Sequence, residues 1–135
     1  TLSNGLTVVL SPRSSIPVVR FSLVTEGGYA ADKPALPGVS SMAMAMLDQG
    51  TTSRDALQMA DQLALLGANL SAFSDLDTAT VQLSVLTEKI DPALDLYADV
   101  ILNPAFPESD LARVKKTTIA RIQQEKVEPF SATAT

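Results

Sequence analysis

The sequence predicts an α+β domain: an antiparallel sheet with helices packed on one of its faces. Three observations point there. Apolar residues alternate with period two in separated stretches, most cleanly at Val81, Leu83 and Val85 against Gln82 and Ser84. Other stretches repeat at three-four spacing, as in Ala93, Leu94, Tyr97, Ala98 and Ile101, the mark of a helix with one buried stripe. The elements run strand, strand, helix, helix, strand, strand, helix, helix, and paired strands stand too close in sequence for parallel crossovers.

Taken in order, Asn4-Gly5 offers the positive backbone angles of a tight hairpin turn, and Leu6, Val8 and Leu10 then alternate as a first strand. A Pro/Ser break at residues 11–15 and Pro17 leads to a second strand over 18–25, with Val19, Phe21 and Leu23 on one face. Gly27-Gly28 ends it, and residues 30–37, with two prolines, form a loop. Residues 38–47 are rich in Ala and Met and predict a helix stopped by Gly50. Thr52 or Ser53 caps the next helix, with Asp55 in its first turn; that helix runs to Leu66 and is closed by Gly67. Residues 69–74 and 78–86 form a strand pair around Asp75-Leu76-Asp77. Asp91 as N-cap with Pro92 at the first helical position starts the third helix, which Asn103-Pro104 breaks. The last helix begins near Pro107, carries Glu108 and Asp110 in its first turn, and stops at Pro129. Residues 130–135 read as an unfinished element, so the expectation is one partial domain over 1–135 that ends before its natural boundary.

Composition narrows the chemistry. The 46% hydrophobic and 19% charged fractions of the 135 residues suit a folded globular chain. Aromatics make up 4%, so the core must be built from Leu, Val, Ala, Ile and Met. A net charge of −5 argues against a nucleic-acid surface, which needs clustered cations, and Lys115-Lys116 reads as the wet side of a helix. No apolar run approaches the roughly 18 residues of a membrane span. The opening Thr1-Leu2-Ser3-Asn4-Gly5 has no signal-peptide pattern, which says nothing about a longer parent.

The chain has neither histidine nor cysteine. That removes the Ser-His-Asp triad, the Cys-His pair, disulfides and zinc-thiolate sites, and no serine has a lysine three residues on. Asp75 and Asp77 could be imagined as paired acids but flank a strand-to-strand turn, where Asp is a common turn former. Gly27-Gly28 fits no phosphate-binding fingerprint. Met42, Met44 and Met46 alternate and so do not converge on one helix face, which makes them core filling and not a soft-metal site.

One stretch carries a resemblance. Gly38-Val39-Ser40-Ser41-Met42-Ala43-Met44-Ala45-Met46-Leu47-Asp48-Gln49-Gly50-Thr51 resembles the metal-binding helix of the pitrilysin/insulinase family, where an inverted His-x-x-Glu-His precedes a Met-Leu-x-x-Gly-Thr tail. Other segments follow the family in order: residues 2–10 are similar to its Leu-x-Asn-Gly-Leu-x-Val opening, 18–28 to its second strand and glycine turn, 65–72 to its Leu-Gly-Gly-x-x-Asn-Ala segment, and 94–106 to Leu-x-Leu-x-x-Asp with x-Pro-x-Phe. Arg113 and Gln123-Gln124-Glu125 sit where the family carries its Arg and its third, glutamate, zinc ligand.

Laid on that pattern, Ser41 and Ala45 fall where the two imidazoles belong and Met44 where the general-base glutamate belongs. Positions i, i+3 and i+4 share one side of a helix, so the whole functional face is replaced. A catalytic zinc needs three protein ligands and a water; Ser and Ala supply none, and one carboxylate, Glu125, cannot hold the ion alone. The resemblance therefore implies a non-catalytic domain of a zinc-peptidase system, with no metal or cofactor of its own and Ser41, Met44, Ala45 and Glu125 as vestigial positions. It also implies a processing-peptidase-like fold, an active half or subunit as partner, a shared chamber holding a peptide substrate, and a bacterial periplasmic or envelope setting. Two other readings stay open: a structural scaffold with no peptidase partner, and an enzyme with new chemistry.

Overall fold

A computed structural model describes residues 1–13 and 15–127. β1 (Val18–Glu26) is followed by α1 (Val39–Met46), α2 (Ala56–Leu66), β2 (Asn69–Ser74), β3 (Thr78–Leu86), α3 (Ile90–Leu102) and α4 (Glu108–Val127). The described strands make one antiparallel sheet in the order β1-β3-β2. The register sets Phe21 and Leu70 on either side of Leu83, and Leu23 and Ala72 on either side of Val81. Those rungs point inward. The alternate rungs, Arg20-Ser84-Asn69 and Ser22-Gln82-Ser71, point away from the helices, so β3 is half apolar and half polar by strict alternation.

The helices cover the inward face. Val81 packs with Leu47, Met59, Leu96 and Val100, while Leu83 and Val85 pack with Ala93. Met46, Met59, Leu83, Leu96, Val85 and Val100 are fully buried. Each such side chain contributes about 1.5–3 kcal/mol relative to exposure, against at most about 1 kcal/mol for a surface ion pair such as Arg121–Glu125, so this layer holds the fold. As expected from composition, no Phe is among the buried core residues of the described part.

Two backbone details fix the layers against each other. Gly27 and Tyr29 donate N–H bonds to the Asp77 and Asp75 carbonyls, and Ala30 to that of Leu76, so the chain leaving β1 lies on the β2–β3 turn. Gly28 is required there by close approach: a Cβ would lie 2.3 Å from the Asp75 carbonyl oxygen and 2.4 Å from that of Leu76. The Tyr97 hydroxyl of α3 reaches the β1–β3 seam, accepting from Leu23 N–H at 3.0 Å and donating to the Val81 carbonyl at 2.6 Å. Burial raises the Tyr97 phenol above its usual range, which keeps the proton it donates.

Several expectations are corrected. Asn4-Gly5 does form a turn, with Gly5 at φ 88° and Leu2 N–H donating to the Leu6 carbonyl, but residues 6–10 join no strand. Val9 and Leu10 are 88% and 84% exposed. Alternation marks a strand only where a neighbouring edge takes its backbone bonds, and no described segment lies alongside. The cap of α2 is Asp55 itself, not Thr52 or Ser53: its carboxylate accepts from Gln58 N–H while the Gln58 side chain accepts from Asp55 N–H. α3 begins at Ile90 with Lys89 at the cap position, so Asp91 lies in the first turn. Its buried residues are Ala93, Leu96 and Val100, with Tyr97 and Ile101 half-buried and Ala98 exposed. The helix is apolar on several sides, so spacing alone allowed more than one inward face. The expected stop at Pro129 and the unfinished element at 130–135 lie outside the described residues.

Candidate functional site

The helix that carries the motif is capped from a distance. Asp32 accepts from Gly38 N–H at 2.7 Å, Ser40 N–H at 3.0 Å and Ser40 Oγ at 2.6 Å, placing a carboxylate over the first turn of α1. The Ser40 hydroxyl bond, with those of the backbone, lowers the Asp32 pKa despite partial desolvation. Gly38 supplies the left-handed entry, φ 90°, that aims its N–H back at Asp32.

On α1, Ser41 and Ala45 lie on the exposed side and Met44 is half-buried against the cluster of Leu47, Met59, Val81, Leu96 and Val100. Met46 is 1% exposed and Met42 half-buried, so the three methionines fill space at and beside the core. α4 packs against α1. Along α4, Val114 is buried, Thr118 and Glu125 are half-buried, and Leu111 and Ile122 are 40% and 43% exposed. The Glu125 carboxylate accepts from Arg121 Nη1 at 2.8 Å, one turn back on its own helix.

The donor set at these four positions does not fit a catalytic zinc. A hydroxyl, a methyl, a thioether and one carboxylate engaged with arginine fall short of three nitrogen, oxygen or thiolate ligands. Among the described residues no three His, Cys, Asp or Glu side chains come together at metal-binding distance.

The best-organised polar group lies beside the motif's tail instead. Asp99 of α3 accepts from Thr51 Oγ1 at 2.7 Å, Ser53 Oγ at 3.0 Å and Asn103 Nδ2 at 2.9 Å, and pairs with Arg54. Arg54 Nε in turn donates to Gln62 of α2 at 2.9 Å. The hydrogen bond from Thr51 first, then that from Asn103, holds the Asp99 carboxyl down at about 2. A carboxylate so saturated is no proton donor near neutral pH; it ties the loop after α1 to α2 and α3. No local pattern marks this knot: Asp99 stands out only as the last position of the Leu-x-Leu-x-x-Asp resemblance, and nothing in the sequence marks Arg54. Residues 49–56 with Pro107 and Asp110 border a cleft of about 370 Å³ next to it. Arg113 bridges the same region, donating to Asp110 at 3.0 Å and to Gln49. Asp75 and Asp77 sit in the exposed β2–β3 turn, closed by Asp75 N–H to the Thr78 carbonyl at 2.8 Å. Lys115 and Lys116 lie exposed on α4.

Among the described residues no helix is long and apolar enough to cross a membrane. The description "Insulinase (Peptidase family M16)" belongs to a family model that matches residues 7–134. An uncharacterized zinc protease of Rickettsia felis is 29% identical over 128 residues, 95% of this chain and 31% of that protein. The mitochondrial-processing peptidase subunit alpha of Solanum tuberosum is 24% identical, over 96% of this chain and 25% of that protein. A crystal structure of a peptidase M16 inactive domain from Pseudomonas fluorescens superposes with a TM-score of 0.77 at 32% identity, covering 83% of this chain and 27% of that one. The chain thus spans less than a third of the length of these relatives. Processing-peptidase relatives are named as alpha and beta subunits, so the family includes paired chains. The resemblance read from the residues is borne out, and this chain belongs to the insulinase family, peptidase family M16.

Proposed function

We propose that this chain is part of a non-catalytic half or subunit of an insulinase-type zinc peptidase. It helps enclose a chamber and contacts peptide substrate there, while an active partner half supplies the metal and the chemistry. The observation that carries this reading is the motif face itself: Ser41, Met44 and Ala45 stand at the ligand and base positions of an otherwise intact framework, and Ser41 and Ala45 are exposed. The neighbouring polar knot around Asp99 supports it, because the loop that follows the motif is still firmly held.

Two measurements test it. After dialysis the chain is expected to hold far less than the one zinc per chain that a real site implies, and to cleave no peptide alone. Adding it to the polypeptide of its own system that bears His-x-x-Glu-His, in the same reading frame or a neighbouring gene, is expected to raise cleavage of an unstructured peptide about tenfold or more. Stoichiometric zinc on the chain would overturn the first part. An active partner indifferent to its presence, or a system with no His-x-x-Glu-His anywhere, would leave the scaffold role instead.

A further inference from the structure

Charge is unevenly placed in this molecule. Its net charge is −5, yet Arg113, Lys115, Lys116, Arg121 and Lys126, half of its ten cations, lie on α4. Ala112, Lys115, Lys116, Ile119, Ala120 and Gln123 share one exposed side of that helix and line a shallow groove of about 380 Å³. This side is not the one holding buried Val114. Among the described residues, neither Lys115 nor Lys116 makes an ion pair.

A complementary stripe lies on the outside of α3. Asp91, Asp95, Ala98 and Leu102 are all exposed, Leu102 by 74%, and their spacing puts them on one side of the helix. Both stripes cover three turns, roughly 16 Å; on α4 Lys115 and Lys116 precede Ile119 and Ala120, between Ala112 and Gln123 at the ends, and on α3 Asp91 and Asp95 precede Ala98 and Leu102. Side by side and parallel, Asp91 and Asp95 face Lys115 and Lys116, while Ala98 and Leu102 face Ile119 and Ala120. Alanines at the contact allow an interaxial distance near the usual 8–10 Å.

We propose that α4 docks on α3 of a second copy of this chain, with lysine–aspartate pairs setting the register. One stripe buries much less than the roughly 1,600 Å² of a standard stable complex, so the association is weak, grows with concentration and falls with added salt.

The test is sedimentation equilibrium of the chain between micromolar and millimolar concentration, at low and high salt, with circular dichroism to confirm folding of each variant. Lys115→Glu with Lys116→Glu places like charges against Asp91 and Asp95, and Asp95→Lys does the converse. Each variant alone is expected to weaken self-association about tenfold or more, and an equimolar mixture of the two to restore it, since each then meets its opposite charge. A chain that stays monomeric throughout, or one whose association survives both variants, overturns the proposal. So does a mixture no stronger than its parts.

Discussion

Two faces a few residues apart on the chain have opposite characters. At Ser41 and Ala45 the side chains are exposed and make no side-chain hydrogen bond among the described residues, so almost any residue fits there. Around Thr51 and Arg54, ten and thirteen residues beyond Ser41, and Asp99 on α3, polar side chains answer one another across three elements. The contrast explains how the framework stays legible whatever residues stand on the motif face. Positions that would present ligands outward carry no packing duty, and exchanging them costs the fold little. The tail of the same motif is built into the core and the knot, as Leu47 at 6% exposure and Thr51 at 5% illustrate.

That contrast can be broken from the framework side first. Gly28→Ala drives a methyl into two backbone carbonyls that cannot move without opening the β2–β3 turn, and the expected loss is about 3 kcal/mol in urea unfolding. Asp99→Ala removes the hub of the knot and strands Arg54; with both groups partly solvated, about 2 kcal/mol is expected in the same measurement. Asp99 also has a pH signature. Its folded pKa, about 2, lies below the ordinary aspartate value of 3.8, so its stabilisation is present above pH 3.8 and is lost as pH falls towards 2. Asp99→Asn is expected to flatten acid unfolding in that window; an unchanged curve would mean the knot holds no extra stability as an anion.

Tyr97→Phe leaves Leu23 N–H and the Val81 carbonyl without the hydroxyl they share, at about 1.5 kcal/mol by thermal unfolding, and with faster amide exchange at Leu23. The smallest effect belongs to the motif face. Ser41→His with Ala45→His is expected to stay within about 0.5 kcal/mol of the parent. Adding Met44→Glu, which disturbs a half-buried contact, should give zinc affinity measurable by calorimetry, with Glu125 leaving Arg121 to serve as third ligand. No gain in affinity would show that Glu125 stands too far from α1 or that the pocket has closed.

Much of the fold could be read locally. The α2 boundaries at Leu66 and Gly67, the left-handed closing glycine at φ 59°, and the β2–β3 hairpin with its inward Val81, Leu83 and Val85 follow from residues within a few positions of each other. What escaped depends on partners far away in sequence. Residues 6–10 alternate like a strand but have no described edge to pair with, and α3 could have buried any of several apolar faces until β3 selected Ala93, Leu96 and Val100.

For the site the division runs along the same line. The sequence by itself determined the donor types at Ser41, Met44, Ala45 and Glu125: a hydroxyl, a thioether, a methyl and one carboxylate, which fall short of the three ligands a catalytic zinc takes. Only the tertiary structure decided that Asp32 caps α1, that Tyr97 bridges β1 and β3, and that Asp99 gathers Thr51, Ser53, Arg54 and Asn103. A hydrogen bond is set by the meeting of two atoms in space, and most of these meetings join groups from 8 to 74 positions apart, beyond the reach of any local pattern.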